Sequence, residues 1–246
     1  MNAYSRNVLF TFSALIFAAL LVGGISELPV FGNYPGPYGD IITASAPQDR
    51  RVTNVPTAVN FDYRGFDTLG EEYILFISVA GLALLLRKET GYREKSPQPG
   101  NHHPLSVPDG TVQWIGFLLF GPLAVFGMYV ILHGQLTPGG GFHGGVIIGA
   151  AWLLVYIASG QRLFHRLTPK KLVDAIEASG AAMYAIIGLL AFISGGLFLQ
   201  NILPLGTPGD ITSGGTIALI NLFVGIEVAT AFMLLFSEFI ETLRTD

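Results

Sequence analysis

The chain has 246 residues, is 51% hydrophobic and only 12% charged, carries a net charge of −4 and contains no cysteine. That charged share is about half the roughly 25% of an ordinary soluble domain, and the acidic balance excludes the basic face that nucleic-acid binding needs. The lack of thiols excludes disulfides, thiolate metal sites and the usual iron–sulfur ligation, but not haem or quinone sites.

Several uncharged runs are long enough to cross ~30 Å of hydrocarbon, which takes about 20 helical residues. The alternating segments of about ten residues that mark a β-barrel are absent. The expected fold is therefore all-α: a polytopic membrane protein with six transmembrane helices. Val8–Ile25 carries no charge and forms the first. No small-residue cleavage pattern ends it cleanly, so it reads as a retained helix rather than a signal peptide.

Ser26–Gly70 is polar and punctuated by Pro29, Gly32, Pro35, Gly36, Pro37 and Gly39, so it reads as a long loop. Its later part, Val52–Phe61, suits a short strand or a segment lying along the membrane surface. Asp62, Arg64 and Asp67 follow closely enough for a local charge network, with a structural turn as the plainer reading.

Tyr73–Leu86 is uncharged but only 14 residues long, too short to span alone. The second helix must begin earlier, which draws Glu71 and Glu72 toward the hydrocarbon boundary. Acids in a first helical turn also suit the helix dipole. A charged, then Pro-rich stretch follows and reads as a linker over residues 96–110. Its His102-His103 pair has no third ligand nearby and reads as solvated sequence.

Thr111–His133 forms the third helix, with Trp114 as an interfacial aromatic and a bend expected at Gly121-Pro122. Pro138-Gly139-Gly140-Gly141-Phe142-His143-Gly144-Gly145 then packs five glycines into eight residues. Such a backbone turns sharply and approaches other groups closely. It lacks the Lys-Ser/Thr of a phosphate loop. Phe142–Ser159 is the fourth helix, and Gly145 and Gly149 make a small-xxx-small pair on it. Gln161–Lys171 reads as a basic loop. Thr168-Pro169 is expected to cap the fifth helix, which runs to about Leu199, and Asp210–Ser213 to cap the sixth, Gly214–Phe236.

The positive-inside rule places both termini in the cytoplasm. The inside then holds Arg6, Arg87, Lys88, Arg93, Lys95, Arg162, Arg166, Lys170, Lys171 and Arg244; the outside holds only Arg50, Arg51 and Arg64. The Gly-rich turn is external in this orientation, and its glycines are expected to pack on a neighbouring subunit.

Glu227 is the clearest candidate for chemistry. It lies in mid-helix, where an ionised carboxylate costs on the order of 3 kcal/mol. It must pair with a cation, line water, or remain protonated. Any of these suits a proton or Na⁺ relay, and a neutral, hydrogen-bonded acid joining helices is the structural alternative. Asn221 lies six residues earlier, about 120° away around the helix, so the two do not make one site unaided. Glu71 and Glu72 suit an ion path or a solvated helix start. Asp174 and Glu177 share one face three residues apart and suit an ion entrance or a surface cluster. His133 and His143 bracket the glycine turn; each suits a proton carrier or a side chain bonded to a nearby carbonyl. No Ser/His/Asp set, phosphate loop or metal-ligand spacing appears, so no catalytic or metal residue is expected.

Leu132-His133-Gly134-Gln135-Leu136-Thr137-Pro138-Gly139-Gly140-Gly141-Phe142-His143-Gly144-Gly145-Val146 resembles the MnhB/MrpB family of multisubunit Na⁺/H⁺ antiporter subunits. The similarity extends over Thr111–Leu243 and includes Gly225-Ile226-Glu227-Val228. Asp62–Glu71 separately resembles the C-terminal part of the large MrpA protein. The resemblance implies a fusion: a two-helix module over 1–95, the linker, and a four-helix module over 111–246. It implies a multi-pass protein of the cell membrane, working beside other antiporter subunits or inside a hydrogenase-type complex. Na⁺ or H⁺ would be the transported ions, with no cofactor. The family's pumping subunits carry intramembrane Lys and Glu pairs; no Lys or Arg lies inside a predicted span here, which argues against a self-contained antiporter.

Overall fold

The computed structural model describes residues 3–28, 30–32, 36–86 and 110–243. The Pro-rich linker, His102-His103, the cations from Arg87 to Lys95 and Arg244 lie outside the described residues. The chain forms two compact units, Met1–Ile41 and Ile42–Asp246. The first contains α1 (Ala3–Ser26), an apolar helix exposed along its length.

Helix α2 (Tyr38–Asp49) is followed by the short α3 (Val55–Ala58), a π-turn at Val59–Tyr63 and α4 (Gly65–Leu86). α5 (Gly110–Leu132), α6 (Gly141–Leu167), α7 (Lys170–Ile193) and α8 (Thr216–Leu243) complete the fold. Six helices, α1 and α4–α8, are long and apolar enough to cross a membrane, and no strand occurs among the described residues. The protein is an all-α, multi-pass membrane protein.

Several boundaries differ from the sequence expectation. Val55–Phe61 is helical rather than extended, because Pro56 sits in the first turn of α3, where its missing N–H costs nothing. α4 starts at Gly65, so its first-turn acid is Asp67, and Glu71 and Glu72 lie farther into the span. The helical path of α6 continues to Leu167 through a kink at Gly160, whose φ of 70° is open to glycine. Thr168 does not cap α7: its hydroxyl donates back to the Phe164 carbonyl at 2.7 Å, and Pro169 is the N-cap. α7 ends at Ile193, before the turn at Gly195.

The start of α8 is capped by Asn201, not by Asp210–Ser213. Asn201 Oδ1 accepts from the Thr216 backbone N–H and hydroxyl, both at 2.9 Å, while its amide donates to the Gly214 carbonyl at 2.8 Å. Side-chain oxygens satisfy otherwise unpaired first-turn donors in this way.

Within residues 42–246 the core runs along α8, whose span is the most buried at 61%. α6, α7 and α4 pack on it, and α5 packs mainly on α6. The α6–α8 seam consists of glycine approaching backbone. Methyl groups added at Gly141, Gly145 and Gly149 would stand 2.4 Å from the Asn221 carbonyl oxygen, 2.8 Å from that of Gly225 and 2.8 Å from Phe232 Cβ. Gly144 faces α5 in the same manner, 2.5 Å from the Gly127 oxygen. These glycines therefore meet helices of their own chain, where the sequence suggested a neighbouring subunit.

The glycine turn is itself pinned to α8. Buried Asn221 accepts from the Gly141 N–H through Oδ1 and donates through Nδ2 to the Ile131 carbonyl, each at 2.5 Å. One side chain thus ties the end of α5 and the start of α6 to α8. Asn221→Ala should lower stability by on the order of 1 kcal/mol, the scale of an interhelical hydrogen bond in a membrane. Thermal unfolding in detergent checks this against Thr207→Ala at an exposed position before α8, which should leave the midpoint unchanged.

Candidate functional site

Three buried carboxylates gather where α4, α7 and α8 meet. Glu227 of α8 has no exposed surface, Glu72 of α4 is 4% exposed and Glu177 of α7 is 5% exposed. Glu72 and Glu177 both lie within electrostatic reach of Glu227. Neither oxygen of Glu227 meets a hydrogen-bonding group of the described protein; nor does one oxygen each of Glu72 and Glu177. No Lys or Arg among the described residues pairs with Glu227.

The helices approach closely at this point because Gly180 of α7 lies on Glu227. A methyl group there would sit 2.7 Å from Glu227 Cβ and 3.0 Å from its backbone nitrogen. Glu177 is one turn earlier on the same face of α7 and shares the approach. Tyr184, fully buried one turn beyond Gly180, donates its hydroxyl to the Gly65 carbonyl at 2.9 Å. That bond fixes the first turn of α4 against α7 and sets the position of Glu72, two turns along. Phe61 packs near the same ring, with centroids 6.2 Å apart.

The paired acids of the sequence divide here. Glu71 and Asp174 are exposed, while their neighbours Glu72 and Glu177 turn inward. His133 is half-buried, stacks on Tyr129 at 4.1 Å and shares a 3.0 Å hydrogen bond with the Tyr129 carbonyl. His143 is exposed on the first turn of α6. The histidines therefore stand at the glycine turn and not at the acid cluster. Pro138 is exposed, and Gly139 and Gly140 take φ of 140° and 117°, which only glycine adopts without strain. Among the described residues, no group of three His or acidic side chains converges as metal ligands would.

The α5–α6 turn is covered by residues 53–57. The Thr53 and Asn54 N–H groups donate to the Gln135 carbonyl at 3.2 and 3.1 Å. The Asn54 amide donates to the Gly134 and Thr137 carbonyls at 2.7 and 2.8 Å, and Thr57 adds a bond to Gly134 at 2.8 Å. Below this clamp, Asp62 pairs with Arg50, not with Arg64, which pairs with Asp67. Burial pushes the Asp62 carboxyl above its ordinary range, and the Arg50 guanidinium opposes that rise. Arg50 also lies over the Tyr63 ring, 5.2 Å from its centroid.

Residues 111–234 match the family model described as a domain related to the MnhB subunit of Na⁺/H⁺ antiporter. The matched region is half of the chain and includes the glycine turn, Asn221, Glu177 and Glu227. The chain belongs to this MnhB-related family. An uncharacterized protein of Methanocaldococcus jannaschii is 33% identical over 208 residues, covering 76% of this chain and 78% of that protein. A Rhizobium meliloti protein named as a probable combined A/B component of a K⁺/H⁺ antiporter is 32% identical over 130 residues, 45% of this chain but 13% of that much longer protein. Among solved structures, a chain of the membrane-bound sulfane sulfur reductase, an archaeal respiratory membrane complex, matches with a TM-score of 0.71 at 31% identity. That match covers 95% of this chain and 97% of the other.

Two of the three buried acids, Glu177 and Glu227, lie within the MnhB-related region; Glu72 comes from the segment before it. Sequence reasoning missed Arg50, Asn54, Tyr184 and Asn201. Asn54-Val55-Pro56 carries a helix-start signature that marks α3, though the Asn54 side chain serves the distant turn instead of its own helix. Tyr184 was visible as a lone hydroxyl in an apolar run. Nothing local marked Arg50 or Asn201.

Gly180→Ala should destabilise the protein by about 1–3 kcal/mol, because α7 and α8 must part at Glu227. Gly70→Ala, whose added methyl meets nothing within 4 Å, should leave stability within about 0.5 kcal/mol. Unfolding midpoints of the two variants in detergent make the comparison.

Proposed function

We propose that this chain is a membrane subunit of a multisubunit cation/proton antiporter, assembling with other membrane subunits in the cell membrane. Within it, Glu227, with Glu72 and Glu177, contributes to an ion path shared with those partners. The observation that carries the reading is the gathering of three buried carboxylates from three helices around Glu227, with oxygens that no group among the described residues satisfies. Acids within membrane spans are rare and costly, and they commonly mark ion and proton routes. Exposed Glu71 and Asp174, each beside one of the buried acids, suit the mouths of such a path. His133 and His143 belong to the packed turn in this reading. The moving species is Na⁺ or H⁺, and the chain carries no cofactor of its own.

The segment before residue 96 is read as the counterpart of the MrpA C-terminal part, joined through residues 96–110 to the MnhB-related module. The A/B designation of the Rhizobium relative supports the joining of two such parts in one chain. The charge distribution supports an orientation with both termini and the α6–α7 turn in the cytoplasm.

A second reading is favoured by the nearly end-to-end match to a chain of the sulfane sulfur reductase. Here the chain is an architectural subunit in the membrane arm of a redox-driven complex, with Glu227 protonated and inert. Substitutions of the acids are then silent in both transport and assembly. Purification of the native complex and identification of its other chains tells the two settings apart.

Cation/proton exchange by the assembled complex tests the first reading. Glu227→Gln and Glu227→Ala should each lose most of the transport while the complex still assembles. Full transport by both variants would remove Glu227 from the path.

A further inference from the structure

A cavity of about 300 Å³ lies on the side of α8 lined by Gly225, Ile226, Ala229, Thr230 and Met233. Met128 of α5, Trp152 of α6 and Ile176 of α7 complete its walls, so four helices contribute. It follows α8 over nine residues, about 12 Å, and its volume falls at the small end of the range for ligand sites. Trp152 is held in the wall by an edge contact with Phe120, centroids 5.0 Å apart.

The chemistry of the wall selects the occupant. Only two hydroxyls reach it, and both already serve backbone carbonyls. Thr168 donates to Phe164 at 2.7 Å, and Thr230 lies 2.8 and 2.9 Å from the Ile226 and Glu227 carbonyls. A cavity without polar partners does not hold water and takes an apolar guest. The acids Glu177 and Glu227 follow Ile176 and Ile226 in sequence and are buried in the α7–α8 contact, apart from this wall.

One end of the cavity is lined by Leu167, Thr168 and Leu172, where α6 gives way to α7. The adjoining Arg166 and Lys171 are exposed cations. Lys170 is paired with Glu238 of α8, which leaves Arg166 and Lys171, next in the chain to Leu167 and Leu172 of the wall, as exposed cations beside this end. An apolar cleft between spanning helices with cations at one end is complementary to a lipid with an anionic headgroup.

We propose that this cavity is a binding site for an anionic phospholipid, with an acyl chain along α8 and the headgroup phosphate at Arg166 and Lys171. The site lies on a different wall of α8 from Glu227, and the proposal does not depend on the role of the acids. The bound lipid fills the space in which α5 and α7 both face α8.

The test uses the assembled complex in phosphatidylcholine vesicles that contain a minor share of phosphatidylglycerol with a photoactivatable acyl chain. Labelling should map to cavity residues such as Met128, Ile176 and Met233. Ile176→Trp, which fills the cavity, should abolish that labelling. Arg166→Gln with Lys171→Gln should lower it roughly thirtyfold, the expected effect of two cations near the headgroup, while photoactivatable phosphatidylcholine labels wild type and variant equally. Labels confined to other surfaces, or unchanged labelling in Ile176→Trp, would overturn the proposal and assign the cleft to a partner helix. Should Ile176→Trp prevent assembly, the double variant decides: undiminished phosphatidylglycerol labelling there rejects the anionic site.

Discussion

The approach of α6 to α8 is the constraint on which the rest depends. Gly141, Gly145 and Gly149 bring the α6 backbone directly against the backbone and Cβ atoms of α8. In hydrocarbon there is little hydrophobic drive for helices to associate, so such close packing and a few hydrogen bonds must hold them. Asn221 supplies two of those bonds at the turn end of the seam. Because α8 is held on this side, its opposite side is free to receive α7 and α4. That second side carries Glu227, met by Gly180 and flanked by Glu177 and Glu72.

The glycine turn and the acid cluster are therefore parts of one arrangement, although they do not touch. Asn221 and Glu227 lie on one helix, about 9 Å apart along its axis, and face different neighbours. The clamp of residues 53–57 over the same turn ties the early part of the chain into this arrangement. The MnhB-related region accordingly does not build the cluster alone: Glu72 arrives from α4, positioned by the Tyr184–Gly65 bond.

Much of the architecture was legible in the residues themselves. Long uncharged runs reveal spanning helices because burial of an apolar helix in lipid depends on composition and length. Glu227 stood out for the same reason, as a charge where charges are costly. Less visible was the division of the acid pairs. Adjacent Glu71 and Glu72 look alike in sequence, and only the rotation of α4 about its axis sends one outward and the other to α8. The Asn201 cap and the Arg50–Asp62 pair join residues 15 and 12 apart through loop geometry that no periodicity encodes.

The sequence by itself determined the solvent of this protein, the number of its spans, its family and the one acid in mid-membrane, because each follows from local composition or a contiguous motif. The tertiary structure alone decided which acids meet Glu227, that the glycines pack within the chain, and where an apolar cavity opens. Those outcomes depend on which faces of separate helices are brought together, and helix rotation and pairing are collective properties of the packed chain.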